Sequence, residues 1–118
     1  MIRFAPVTVI EMPEFLSATR KLLDDQERAD LVDHMARNPE AGDLVQGTGG
    51  VRKLRWALEG RGKSGGARII YFYHNAGMPL FLLTAYAKND KANLSQADRN
   101  GFRTLTKLLV ESYEKAKA

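Results

Sequence analysis

Three β-type runs follow one another between Val51 and Ala87 with only turns or a short loop between them, and this succession limits the folds open to the chain. Val51–Leu58 alternates imperfectly, with Arg52, Leu54, Trp56 and Leu58 on one parity and Lys53, Arg55 and Ala57 on the other. Ala67–His74 is dense in β-branched and aromatic residues, and Met78–Ala87 is rich in Leu and Phe. Parallel neighbours need a crossover of about a dozen residues or more, so connections this short imply an antiparallel or mixed sheet. Leu44-Val45 before the Gly47-Thr48-Gly49-Gly50 turn reads as a further short strand, and Thr8-Val9-Ile10 as a first one.

Helical patterns flank these runs. Pro13-Glu14 suits a helix start, and Phe15, Leu16, Thr19, Leu22 and Leu23 recur at helical spacing. Asp24 and Glu27 form a capping-box pair before the stripe Leu31, Val32, Met35 and Ala36, which Asn38-Pro39 ends. The two suggest a helical hairpin. Ser95 and Asp98 repeat the capping spacing ahead of Phe102, Leu105, Leu108 and Leu109. The order β-α-α-β-β-β-β-α predicts an α+β fold, and 118 residues suit a single domain over 1–118.

The net charge of +4 is an average over opposites. Residues 1–50 carry 5 basic and 9 acidic side chains, whereas residues 51–68 hold six cations (Arg52, Lys53, Arg55, Arg61, Lys63 and Arg68) against Glu59 alone. Eight of the ten glycines lie between Gly42 and Gly66, so much of this charge sits on or beside pliable backbone. Such a focus attracts polyanions, phosphates above all. Zero cysteines exclude a disulfide scaffold and a thiol nucleophile, and two histidines give little to build a metal site from. No apolar run approaches the roughly 20 residues that span a bilayer, and Met1–Pro6 lacks the start of a secretory signal, so the expected location is the cytoplasm.

Nucleotide motifs fail on context. Gly60, Gly62 and Gly65 satisfy the bare dinucleotide spacing, but a strand follows and no helix N-terminus is there to hold a pyrophosphate. Gly62-Lys63-Ser64 resembles the end of a phosphate loop, yet Ala57 occupies the first glycine position. His34, beside a helical stripe, and His74, at a strand end, read as structural.

What remains is a set of cations: Lys53 and Arg55 on one strand face, Arg61 and Lys63 in the glycine-rich loop, Arg68 opening the next strand, and Tyr86 and Lys88 at the end of the apolar strand. If the strands pair in sequence order, these converge on one side of the sheet, with Arg52 as a further phosphate contact. Cleavage of RNA by its own 2′-hydroxyl needs a base, an acid and donors for the charge on a five-coordinate phosphorus. Arg suits the last task, because it stays charged and binds phosphate oxygens in pairs. From the residues alone, the set serves equally a nuclease and an RNA-binding surface without catalysis.

Gly49-Gly50-Val51-Arg52-Lys53-Leu54-Arg55-Trp56, Gly60–Tyr71 and Leu83-Thr84-Ala85-Tyr86-Ala87-Lys88-Asn89-Asp90-Lys91 resemble the HigB branch of the RelE/ParE toxin superfamily, from bacterial type II toxin–antitoxin modules. The resemblance implies N-terminal helices and a C-terminal helix packed on a twisted, mainly antiparallel sheet. It also implies a ribosome-dependent mRNA endonuclease that needs neither metal nor cofactor. Family cation positions fall on Lys53, Arg55 and Arg68, and Lys88 lies in the strand-end motif Tyr86-Ala87-Lys88-Asn89. The family's further arginine aligns with Asn89 and its tyrosine with Leu94, which leaves the acid to Lys63, Lys88 or Tyr86. The ParE branch, directed at DNA gyrase, is the alternative that this cation set argues against. A helix-turn-helix antitoxin of HigA type, the ribosome and mRNA are the implied partners, with no membrane.

Overall fold

The later strands pair as their short connections dictate. In the computed structural model, which describes residues 5–58, 66–90 and 93–117, β2 (Asp43–Leu44), β3 (Val51–Trp56), β4 (Ala67–Phe72) and β5 (Leu80–Ala87) form an antiparallel series. β1 (Val9–Glu11) joins the far side of β5 in parallel, so the sheet order is β1-β5-β4-β3-β2. Helices α1 (Pro13–Thr19) and α2 (Asp25–Arg37) lie on one face and α3 (Gln96–Lys117) on the other. The fold is α+β, with both faces of a mixed, mainly antiparallel sheet covered.

Parity along the strands sorts the core into two layers. Ala67, Ile69, Tyr71, Leu80 and Leu82 meet Phe15, Leu31 and Met35 from α1 and α2. Val51, Ile70, Phe72, Phe81 and Leu83 meet Phe102, Leu105, Leu109 and Tyr113 from α3. Buried on both faces, β4 is the centre of the molecule, and of its six residues only Arg68 is not buried.

A β-bulge breaks the alternation of β5. Ile70 lies opposite Thr84 and Tyr71 opposite Leu82, so Leu83 is an extra residue in the ladder. Before the bulge the odd positions Phe81 and Leu83 face α3; beyond it the even position Tyr86 does, opposite Arg68. Unbroken alternation would have put Tyr86 on the α1/α2 side.

Both expected capping boxes form. Asp24 accepts from the Glu27 N–H at 2.7 Å while Glu27 accepts from the Asp24 N–H at 3.0 Å, and Ser95 and Asp98 exchange the same pair of bonds at 3.0 Å each. Several local expectations need correction. Helix α1 ends at Thr19, short of Leu23; it packs on β5, while α2 lies against β1. The strand expected at Leu44-Val45 is Asp43–Leu44 at the sheet edge, with Leu44 63% exposed. Leu108, assigned to the buried stripe, is 58% exposed; the inward positions are Phe102, Leu105, Leu109 and Thr106. Thr106 is buried because its hydroxyl donates to the Thr48 carbonyl at 3.1 Å and ties α3 to the β2–β3 turn.

That turn needs its glycines. Gly47, Gly49 and Gly50 have φ of 76°, 78° and 114°, and a Cβ on Gly49 would collide with the Thr106 hydroxyl. Gly49→Ala is expected to lower stability by about 2–3 kcal/mol in denaturant titration.

The Tyr71 hydroxyl accepts the Gly42 N–H at 2.8 Å inside the core. Burial raises its pKa above the ordinary tyrosine value, against the lowering effect of the Gly42 bond. A raised folded pKa favours the protonated form, so its stabilisation is present below the unfolded value and lost as pH rises above it. Stability should therefore fall above about pH 10. Tyr71→Phe should lack that part of the alkaline loss and cost about 1–2 kcal/mol at neutral pH, through the orphaned Gly42 N–H.

Candidate functional site

Strand parity and register together build one row of polar side chains. Arg55 lies opposite Arg68, and Arg68 opposite Tyr86, so three adjacent strands present them side by side on the α3 face. Same-face neighbours in such a row have Cβ atoms about 4.5–5.5 Å apart. One row along, Lys53 lies opposite Ile70 and Ile70 opposite Thr84, with Lys53 half-buried. The next step down this face is apolar, with Val51, Phe72 and Phe81 in line beneath α3. The cations therefore occupy the end of the sheet where α3 begins, beyond the apolar contact.

Two arginines directly opposite each other repel. Among the described residues no carboxylate lies within ion-pair distance of Lys53, Arg55 or Arg68. The Arg68 guanidinium donates to an uncharged acceptor, the Ala67 carbonyl, at 3.4 Å. Asp43 on β2 lies opposite Lys53 without an ion pair, so among the described residues this end of the sheet keeps a surplus of unpaired cations.

Lys88 follows in the turn after β5, exposed, with its N–H donating to the Gly66 carbonyl at 3.2 Å. Lys88 and Asn89 therefore sit beside the start of β4. Arg61 and Lys63 lie outside the described residues. Arg52 is placed elsewhere: β3 turns it to the α1/α2 side, where Nη1 donates to the carbonyls of Gly42 at 2.7 Å and Glu40 at 3.2 Å. Its Nη2 stands 3.9 Å from the Glu40 carboxylate and its side chain is 18% exposed. It clamps the segment before β2 to β3 and does not join the row. Leu94 is buried among Val51, Ile70 and Leu83, so this position supplies packing and no hydroxyl. His34 lies tilted against Trp56, ring centres 5.3 Å apart, and His74 sits 6.1 Å from Phe72; neither joins the row.

A recess of about 160 Å³ opens beside Tyr86, lined by Glu14, Thr84, Leu94, Asp98 and Phe102. Sequence reasoning singled out neither Thr84 nor this recess, because the bulge that turns Thr84 toward α3 has no signature in the strand pattern. It also missed three cations of α3, Arg99, Arg103 and Lys107, although their i, i+4, i+8 spacing is visible in the sequence.

Fold and site together define a small α+β protein whose helix-backed sheet carries a row of cations at one end. The family model described as the RelE toxin of the RelE/RelB toxin–antitoxin system matches residues 9–117. The chain belongs to the RelE toxin family. That family is one half of a toxin–antitoxin pair, with a RelB-type antitoxin as the other half. Among the described residues, no helix is long and apolar enough to cross a membrane.

The two strand faces should respond differently to substitution. Arg52→Ala is expected to cost about 1–2 kcal/mol, because the part-buried Gly42 carbonyl and the exposed Glu40 carbonyl lose a charged donor. Arg55→Thr should leave stability unchanged or raise it by up to ~0.5 kcal/mol, because it removes a like-charge neighbour and adds a β-former. Chemical denaturation of both variants checks the pair.

Proposed function

We propose that the chain is a ribosome-dependent mRNA endonuclease, a HigB-type member of its family, acting in the cytoplasm on messages under translation. The observation that carries this reading is the Arg55–Arg68–Tyr86 row, with Lys53 one step away and no carboxylate paired to any of the three cations among the described residues.

In the reaction, the ribose 2′-oxygen attacks the neighbouring phosphorus as its proton passes to a base. The P–O5′ bond breaks, and the leaving oxygen takes a proton from an acid. The products are a 2′,3′-cyclic phosphate and a 5′-hydroxyl end. Arg68, at the centre of the row, stabilises the extra negative charge of the five-coordinate phosphorus, with Arg55 beside it. Lys53 and Lys88 are the proton-handling candidates, and Tyr86 contacts the RNA from the far side of Arg68. With apolar Leu94 and uncharged Asn89 at two family positions, the acid falls to Lys88 or Tyr86 here, or to Lys63. A HigA-like helix-turn-helix antitoxin would silence the protein by covering this face.

Arg68→Ala is expected to abolish growth arrest on induction while leaving the thermal melt within a few degrees. Primer extension on a message translated with the purified protein should show cuts confined to translated codons. Intact message together with continued growth arrest would instead mark a gyrase-directed toxin.

A further inference from the structure

The two faces handle their arginines in opposite ways. On the α1/α2 side, Arg28 pairs with Glu11 at 3.3 Å, Arg37 with Asp33 at 3.0 Å and Arg52 with Glu40 at 3.9 Å. On the α3 side, no ion pair engages Lys53, Arg55, Arg68, Arg99, Arg103 or Lys107 among the described residues. Acids are not scarce in this chain, which has 14 of them, so the contrast is one of placement.

Arg99, Arg103 and Lys107 make one stripe along α3, in steps of roughly 6 Å. Arg99 Nη1 donates to the Gln46 carbonyl at 3.2 Å, and Arg103 Nη2 to the Asn100 amide oxygen at 2.9 Å, both uncharged partners. The stripe runs against the β2–β3 turn, where Gly49 packs on Arg103 and Thr106 bonds to Thr48. From that turn β3 leads directly to Lys53 and Arg55. Arg103 and Lys107 also line a groove of about 400 Å³ with Gly49, His74 and Glu111. Glu111, one helical turn beyond Lys107, offsets part of the charge at the far end. Asp98 does so at the near end, where it caps the helix.

We propose that the Arg99–Arg103–Lys107 stripe is a second phosphate-binding track, which holds the continuation of the RNA strand whose scissile phosphate lies on the Arg55–Arg68 row. It rests on RNA being the polymer bound, as in the reading above. Continuity of the band favours the same strand over a separate molecule. The step between stripe cations is comparable to that between successive phosphates of an extended strand. The stripe packs on the turn from which β3 leads to Lys53, whose cross-strand neighbour Asp43 is the acid nearest the junction.

The test uses a twelve-nucleotide RNA, 2′-O-methylated so that it cannot be cleaved, and a four-nucleotide version able to occupy only the row. R99Q/R103Q/K107Q is expected to bind the long RNA about tenfold or more weakly at low salt. The slope of log affinity against log salt should fall by about 2, near 0.7 for each single-strand phosphate that the variant no longer neutralises. Binding of the short RNA should be unchanged. R103Q/K107Q, which spares the Arg99 bond to the turn, should show about two thirds of the slope change and serves if the triple variant melts early.

Equal loss on both RNAs, or no loss on the long one, overturns the track. So does unchanged long-RNA binding with lost affinity for ribosomes or for polyglutamate, which would assign the stripe to ribosomal RNA or to an acidic protein. Cleavage plays no part in these readouts. A protein that binds through the stripe but leaves translated messages intact refutes the nuclease reading alone. One that cleaves but ignores the stripe refutes the track alone.

Discussion

Everything about the site depends on β4 being buried on both faces while Arg68 sits at its open end. Ile69 and Tyr71 anchor one face, and Ile70 and Phe72 the other, all at 0–1% exposure, so the strand cannot shift by one residue without reversing both cores. With β4 held so firmly, its neighbours inherit their register, and Arg55 and Tyr86 have no choice but to flank Arg68. The bulge at Leu83 completes the constraint by turning the end of β5 over. The core therefore sustains an arrangement that electrostatics opposes: two arginines opposite each other with no carboxylate paired to either among the described residues.

The acidic first half of the chain has a part in this. Three of its carboxylates, Glu11, Asp33 and Glu40, pair with Arg28, Arg37 and Arg52 on the α1/α2 side. Since α1 and α2 cover the opposite face of the sheet, these three are kept away from the row by the thickness of the sheet itself. Asp43, opposite Lys53, and Glu14, beside Tyr86, lie on the row's side without pairing with its cations among the described residues. A chain of modest net charge thus presents a concentrated positive surface. Exposed ion pairs of this kind add little stability, typically under about 1 kcal/mol each. Their larger effect is on where the field points.

Much of the fold was legible because local signals agreed with it. The capping boxes at Asp24–Glu27 and Ser95–Asp98, the glycine turn before Val51 and the apolar density of β4 and β5 all lie where the sequence puts them. Lys53 and Arg55 could be assigned to a common face from alternation alone. The misreadings came where a distant partner decides. Arg52 looked like part of the basic run, but the carbonyls of Gly42 and Glu40 claim it from the other face. Leu108 looked like core, but α3 is anchored through Thr106 on Thr48, which turns Leu108 outward. Leu44 looked like a strand with an apolar purpose and proved to be an exposed edge.

By itself, then, the sequence determined which residues could be core, where helices start, which turns need glycine, and that positive charge concentrates in a short glycine-rich stretch. These follow from local geometry: side-chain period, capping hydrogen bonds and allowed φ. Tertiary structure alone decided that β1 joins β5 in parallel, that a bulge brings Tyr86 onto the face of Arg68, and that the helix carrying Arg99, Arg103 and Lys107 packs on the β2–β3 turn. Each of these depends on which strand or helix lies beside which. Hydrogen bonding and burial between distant segments settle that, and no window of local sequence contains it.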